Sequence, residues 1–115
     1  MARMTSKADV PPGTLDMLIL RTLQLEPMHG LGISRRIEQI THGTFQLNPG
    51  TFFPALYRLE QDGLIKSAWG RSETNRPAKY YRLTASGKRR LKEELRHWSR
   101  VIEAINRILE APQEG

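Results

Sequence analysis

The chain has 115 residues and a net charge of +6, so it can form one domain with a modest core and favours an anionic partner. It contains no cysteine, which excludes a disulfide framework and thiolate metal sites. No apolar run reaches the roughly 18 residues of a membrane span, and the first residues lack the apolar stretch of a signal peptide. We therefore expect a cytoplasmic protein without a membrane partner.

The first part of the chain carries the pattern of two short amphipathic helices. Thr14 can cap a helix over residues 15–25, and a second helix covers residues 31–40 before a stop at His42-Gly43. The positions expected to face the core recur every three or four residues: Leu15, Leu18, Ile19, Thr22 and Leu23 in the first helix, and Ile33, Ile37 and Ile40 in the second.

Residues 49–62 predict a third helix with clear start and stop signals. Asn48 can cap its first turn, Pro49 suits the first helical position, and Gly63 supplies the stop. The positions expected to be buried are Phe52, Leu56 and Leu59, at the spacing of one helix face.

A β-hairpin follows this third helix. Residues 64–69 and 79–83 have strand-like composition, and Asn75-Arg76-Pro77 breaks the chain between them. Tyr81 and Leu83 are expected to face the core, whereas Tyr80 and Arg82 point the other way. Three helices and a hairpin predict a mainly α protein with a minor β part, a helix-turn-helix followed by a wing.

Positive charge is concentrated in and just after this wing. Residues 61–90 contain eight Lys and Arg side chains and two acidic ones. Such a block is typical of a surface that binds a phosphate backbone, although it can also be a solvated surface without a partner.

The last helix, expected over residues 85–110, has an apolar seam with the spacing of a heptad. At 1.5 Å per residue this helix is ~39 Å long, too long for a small winged-helix core to cover. An identical helix from a second chain is the simplest partner, with packing back on its own domain as the alternative. The expected dimer interface also includes the start of the first helix: Leu15, Leu18, Leu91, Leu95, Trp98, Ile102, Ile105 and Leu109.

Several side chains are candidates for DNA contact. Thr51 lies in the first turn of the third helix, where side chains reach base edges, although its hydroxyl could also act as a cap. Arg58 can contact phosphate or guanine, or instead pair with Asp62, and the wing cations are expected to meet the DNA backbone. The complete set of expected DNA-binding residues is Asn48, Thr51, Phe53, Tyr57, Arg58, Arg76, Lys79 and Arg82.

The sequence carries no pattern of an enzyme, a metal site or a cofactor site. His29, His42 and His97 are widely separated and lack metal-ligand spacing. No glycine-rich phosphate loop is present, and the serines have no neighbouring base.

Five segments together resemble the PadR family of transcriptional regulators, of the small type with a single helix after the wing. These segments cover most of residues 13–110: GTLDMLIL, MHGLGISRRI, PGTFFPALYRLEQDGLI, AKYYRLTASGKRRL and WSRVIEAINRIL. Phe53 stands where family members usually have tyrosine, so Thr51 and Tyr57 are expected to carry more of the contact with DNA.

The resemblance implies a homodimeric repressor that binds double-stranded DNA at an inverted repeat. It also implies a hydrophobic or aromatic effector in some relatives, for which Trp98 is the candidate stacking residue. The implied organisation is a flexible tail (residues 1–13), a winged helix-turn-helix domain (14–83), a C-terminal dimerisation helix (84–110) and a second flexible tail (111–115). Two alternatives stay open: a winged-helix module whose basic wing binds an acidic protein, and an architectural or RNA-binding protein.

Overall fold

The computed structural model describes residues 10–11 and 13–113, which form four helices and a small antiparallel sheet. Expectations for residues 1–9, 12 and 114–115, parts of the two tails, lie outside the described residues. The helices of the described part lack the combination of length and apolar character that crossing a membrane requires. In chain order the elements are α1 (Leu15–Leu25), β1 (Met28–His29), α2 (Gly30–Ile40), α3 (Pro49–Gln61), β2 (Ile65–Arg71), β3 (Pro77–Leu83) and α4 (Ala85–Leu109).

The core lies between the first three helices, the base of the sheet and the start of α4. The expected apolar face of α3 is confirmed. Leu20 is also buried, although it lies outside the predicted stripe of α1, while Ile40 is half exposed because α2 ends at this residue. The largest fully buried side chains are Phe52, Ile19, Leu20, Ile33, Leu56, Leu59, Ile65 and Leu91.

The helix starts are capped by different groups. His29 caps α2, because its Nδ1 accepts a hydrogen bond from the Gly32 N–H at 2.9 Å. Thr14 precedes α1 as expected, but its hydroxyl donates to the Pro11 carbonyl at 2.6 Å. The predicted side-chain cap of α1 is therefore wrong, since the hydroxyl is used to hold the preceding turn.

The sheet has the strand order β1-β3-β2, with both pairings antiparallel. β1 is two residues long, too short for its sequence pattern to be recognised, and pairs Met28 with Tyr81. The β2–β3 hairpin is longer than predicted. Pro77 starts β3 instead of breaking the chain, which a proline at the first position of a strand permits, and the connecting turn is residues 72–76.

A tight junction joins the turn after α3 to the start of α4. The Thr84 hydroxyl donates to the Gly63 carbonyl at 2.6 Å and accepts from the Gly87 N–H at 3.0 Å. The Thr84 N–H also donates to the Leu64 carbonyl at 3.1 Å. Gly87 packs so closely here that a Cβ added to it would lie 2.0 Å from the Leu64 oxygen. The direction of α4 is therefore fixed at its first turn.

α4 is 25 residues long, about 37 Å, and packs against α1 along its first part. Leu91 is completely buried in the core of its own protomer. This corrects its expected role in the dimer interface, because a side chain that its own chain buries completely has no surface left for a second copy. Beyond Leu91, no residue of α4 is fully buried.

We predict that Gly87→Ala destabilises the protein, although alanine is the better helix former by about 1 kcal/mol. Because the added methyl group meets backbone at Leu64, overpacking should lower the free energy of unfolding by roughly 1–3 kcal/mol in urea denaturation. Arg90→Ala, an exposed position in the same part of α4, is the control and should change it by less than about 0.5 kcal/mol. Unchanged stability of Gly87→Ala would contradict the close packing.

Candidate nucleic-acid interface

The start of α3 is exposed, and its first turn is capped. Asn48 accepts a hydrogen bond from the Gly50 N–H at 2.7 Å, and Pro49 occupies the first turn. Thr51, Phe53 and Tyr57 lie on the outer side of this helix, and Tyr57 is 65% exposed. The N-terminal half of α3 therefore offers hydroxyl and aromatic groups to a partner, as the sequence suggested. The Asn48 side chain is used as a cap.

Close contact between α2 and α3 depends on Gly30. A Cβ at Gly30 would lie 3.1 Å from Cε1 of Phe53 and 3.3 Å from Cδ2 of Leu56. The Phe53 ring is 44% exposed and packs edge-to-face on Phe52. Phe53 thus lies partly against α2 and leaves part of its ring open to the cleft in front of the wing.

Arg58 is held by α1. Its Nη1 and Nη2 donate to the two carboxylate oxygens of Asp16 at 2.8 and 2.9 Å, a bidentate pair. The pKa of Arg58 is raised above its ordinary value, first by these hydrogen bonds and then by the charge of Asp16. The ion pair considered from the sequence, with Asp62, does not form. DNA contact by Arg58 stays a prediction, because a phosphate has to compete with Asp16 for the guanidinium.

The tip of the wing is a hydrogen-bonded turn with Asn75 in the left-handed region at φ 61°. The Ser72 N–H donates to the Arg76 carbonyl at 2.9 Å, and the Arg76 N–H donates to the Ser72 hydroxyl at 3.2 Å. Arg71 donates to the Asn75 carbonyl at 3.1 Å, and the Tyr80 hydroxyl donates to the Arg71 carbonyl at 2.9 Å. The backbone is thus fixed while the Arg76 side chain is exposed.

Glu60 joins the wing to α3 and was not predicted as a site residue. Its carboxylate accepts from the Ser67 hydroxyl at 2.5 Å and lies 3.9 Å from the Lys79 ammonium. Lys79 is therefore positioned beside α3, with part of its charge offset by Glu60. Sequence reasoning missed this contact because it depends on how the hairpin packs against α3, which helix periodicity does not show.

α2, α3 and the wing together line a cleft of about 550 Å³. Phe53 and Lys79, two of the expected DNA-binding residues, both line it. Leu31 and Arg35 of α2 also line the cleft, although neither was predicted as a site residue. The sequence did contain a signal for Arg35, because it is an exposed cation on α2, the helix that precedes α3 in the helix-turn-helix.

Arg82 lies apart from this cleft. It is paired directly with Lys66 across the ladder, and strand alternation places both on the sheet face opposite that of Lys79. With Lys88 and Lys92, Arg82 lines a separate hollow of about 630 Å³ near the end of α1. The structure therefore does not bring Arg82 together with the other expected DNA-binding residues.

The second half of α4 exposes an apolar surface, which we call the α4 seam. Leu15 and Leu18 of α1 are half-buried and pack against the core. Trp98 is also half-buried and lines a hollow together with Gly13. The indole Nε1 of Trp98 is buried and has no hydrogen-bond partner among the described residues. The seam residues with 39% to 77% exposure are Leu95, Ile102, Ile105, Ile108 and Leu109.

A helix-turn-helix with a basic hairpin behind it defines a winged-helix DNA-binding protein. Residues 19–93 match the model of the family described as "Transcriptional regulator PadR-like family", and the chain belongs to this family. Its members are transcriptional regulators and not enzymes, as the sequence predicted.

Individual relatives agree with this assignment. The chain is 36% identical over 69 residues to a transcriptional regulator of Mycobacterium tuberculosis, which is 60% of this chain and 61% of that one. A solved transcriptional regulator from Clostridium thermocellum has a TM-score of 0.77 and 32% identity, covering 85% of this chain and 92% of that chain. A solved PadR family regulator from Eggerthella lenta has a TM-score of 0.70 and 34% identity, covering 87% of this chain and 85% of that one.

We predict an energetic coupling between Asp16 and Arg58. Replacing each by alanine, singly and together, should give a coupling of about 0.5–1 kcal/mol in the free energy of unfolding, because the pair is bidentate but partly exposed. High salt should reduce it. The control is the exposed pair of Glu103 and Arg107, one turn apart on α4, with a coupling of about 0.3–0.5 kcal/mol. A smaller coupling at Arg58 than in the control would show that Asp16 does not hold it.

Proposed function

We propose that this protein is a homodimeric repressor that binds an inverted repeat in double-stranded DNA. The observation that carries the proposal is the α4 seam, because a PadR-family chain that leaves this surface exposed has an apolar face ready for a second copy. The DNA-binding elements supply the other half of the argument, since the start of α3 and the wing are both exposed.

Dimerisation through the seam is supported by the amount of apolar surface left open. Three exposed apolar side chains lie along one side of α4, spaced by seven and then three residues. They are Leu95, Ile102 and Ile105, which are 39%, 53% and 52% exposed. Complete burial of a Leu or Ile side chain stabilises by about 1.5–3 kcal/mol. Because these side chains are only partly buried in the single chain, much of this stabilisation becomes available only when a second copy covers them. A second α4 is the simplest partner, because the same face then covers itself about a two-fold axis.

Two-fold symmetry then dictates the form of the operator. Two α3 helices related by such an axis enter successive major grooves about one turn apart, ~34–36 Å. In this arrangement Thr51 and Tyr57 face base edges, and Arg76 and Lys79 face phosphates beside the groove. The repressor part of the proposal supposes that the two half-sites lie within a promoter, where a bound dimer would block access to that stretch of DNA.

The proposal includes a hydrophobic or aromatic effector at Trp98. Trp98 is half-buried, and its ring lies edge-to-face with the His97 ring, with 5.6 Å between the two centroids. Its Nε1 has no hydrogen-bond acceptor among the described residues. A flat ligand would stack on the part of the Trp98 ring that is open to solvent. Because Trp98 borders the seam, such a ligand would act on the arrangement of the two copies.

We predict that the wing cations determine the salt dependence of DNA binding. Arg76→Ala and Lys79→Ala should each weaken binding to all duplexes alike and lower the log–log salt slope by about 0.9, the effect of one lost phosphate contact. The control is Arg21→Ala, which removes the same charge from an exposed arginine of α1 that bonds to Gln24. Its slope should not change. An unaltered slope in the Arg76 variant would mean that the wing tip faces solvent.

We predict that the dimer and the inverted repeat depend on each other. Selection of bound sequences from random duplex DNA should yield two half-sites about one turn apart for the unmodified protein. Ile105→Lys places a charge in the α4 seam and should give a 13.2 kDa monomer in sedimentation, with no selected repeat. Ala104→Lys adds the same charge at the adjacent exposed residue, outside the seam, and should behave as the unmodified protein.

A monomeric unmodified protein across the micromolar range would overturn the seam assignment and the inverted repeat together. Selection of a single half-site by a dimer would overturn the operator geometry alone.

A further inference from the structure

Trp69 is an exposed tryptophan in the middle of a β-strand. Its side chain is 72% exposed, although tryptophan is highly buried on average. Within the described residues its ring makes no aromatic pair: such pairs join His29 with Tyr80, Phe52 with Phe53, and His97 with Trp98. Packing within the described chain therefore does not explain why a tryptophan, the largest apolar side chain on the wing, stands at position 69.

The position of Trp69 is fixed by the register of the hairpin. Strand alternation places Trp69 on the same sheet face as Ser67, whose hydroxyl donates to Glu60 of α3. Directly across the ladder from Trp69 is Lys79, which lines the cleft with Phe53. Trp69 therefore lies on the side of the wing that faces α3, two residues nearer the tip than the contact between wing and helix.

The surroundings of Trp69 are basic. Lys79 lies opposite it, Arg71 follows two residues later on the same face, and Arg76 extends from the tip. Two carboxylates belong to this part of the molecule: Glu60, which is engaged by Ser67 and Lys79, and Glu73 of the turn, which lines the cleft with Lys79. Lys79, Arg71 and Arg76 outnumber them. A partner that fits this surface offers an apolar face next to closely spaced anions. Deoxyribose and phosphate offer this combination along the backbone of duplex DNA.

We propose that Trp69 packs its indole ring on the deoxyribose backbone beside the groove that α3 enters, while Lys79 and Arg76 contact the flanking phosphates. This inference rests on the proposed function, because it takes DNA to lie along α3 and the wing. The contact is to sugar rather than to base edges, so it adds affinity without sequence preference. Trp69 is thus an apolar anchor within a surface that otherwise binds by charge.

The test uses fluorine NMR of the full-length protein labelled with 5-fluorotryptophan. The chain has two tryptophans, Trp69 and Trp98, so two signals are expected, and Trp69→Phe assigns them by removing one. Addition of a duplex carrying the selected operator should shift or broaden the Trp69 signal in a stoichiometric titration. An unshifted Trp69 signal at saturating duplex, with binding verified by mobility shift on the same sample, would overturn the inference.

Affinity measurements separate an apolar contact from a charge contact. Trp69→Ala should weaken binding about tenfold or more for operator and unrelated duplex alike, as truncation of an interface aromatic does. Its salt slope should stay that of the unmodified protein, in contrast to Lys79→Ala. Trp69→Phe should retain most of the affinity, since it keeps an aromatic face. Equal affinity of Trp69→Ala and unmodified protein would overturn the inference.

Two further outcomes have distinct meanings. In the first, the Trp69 signal shifts with protein concentration in the absence of DNA and does not shift further when duplex is added. This result would assign the ring to a contact between two copies of the chain and would overturn the proposal. Failure of the unmodified protein to bind any duplex would instead overturn the proposed function on which the inference rests.

Discussion

The arrangement of this protein depends on the junction where the turn after α3 meets the first turn of α4. Thr84 binds the Gly63 carbonyl, and Gly87 lies against the Leu64 oxygen with no room for a side chain. α4 is about 37 Å long, so a change of 10° at its first turn would move its end by about 6 Å. The junction therefore couples the end of α3 to the α4 seam. In the proposed dimer, this junction determines the distance between the two α3 helices.

α3 is held on two sides. Asp16 ties it to α1, which packs along α4, and Glu60 ties it to the wing. Both ties involve partly exposed groups, whose individual contribution to stability is small. Their value lies in orientation: they hold α3 and the wing in one geometry before DNA binds, so less ordering is required on binding.

Much of the fold could be predicted from the sequence because its signals are local. The Asn48 cap, the spacing of Phe52, Leu56 and Leu59, and the glycine after α3 define the third helix. What could not be predicted depends on packing between distant segments. Asp16 and Arg58 are 42 residues apart in the chain. The heptad pattern also does not distinguish Leu91, which is buried in the core, from the exposed residues of the α4 seam. Strand alternation correctly places Arg82 on the face opposite Tyr81 and Leu83. The sequence could not show that this face lines a hollow with Lys88 and Lys92, apart from the cleft that Lys79 lines.

The strand order β1-β3-β2 leaves the outer side of β2 without a neighbouring strand in the described chain. An open edge of this kind presents backbone amides and carbonyls that can pair with another molecule and start aggregation. Lys66 and Arg71 are exposed on this strand, and like charges brought together by edge-to-edge pairing would repel each other. The positive charge of the wing therefore also protects the protein against self-association through its sheet. Substitutions that remove the charges of Lys66 and Arg71 would therefore lower the solubility of the protein, in addition to any effect on nucleic-acid binding.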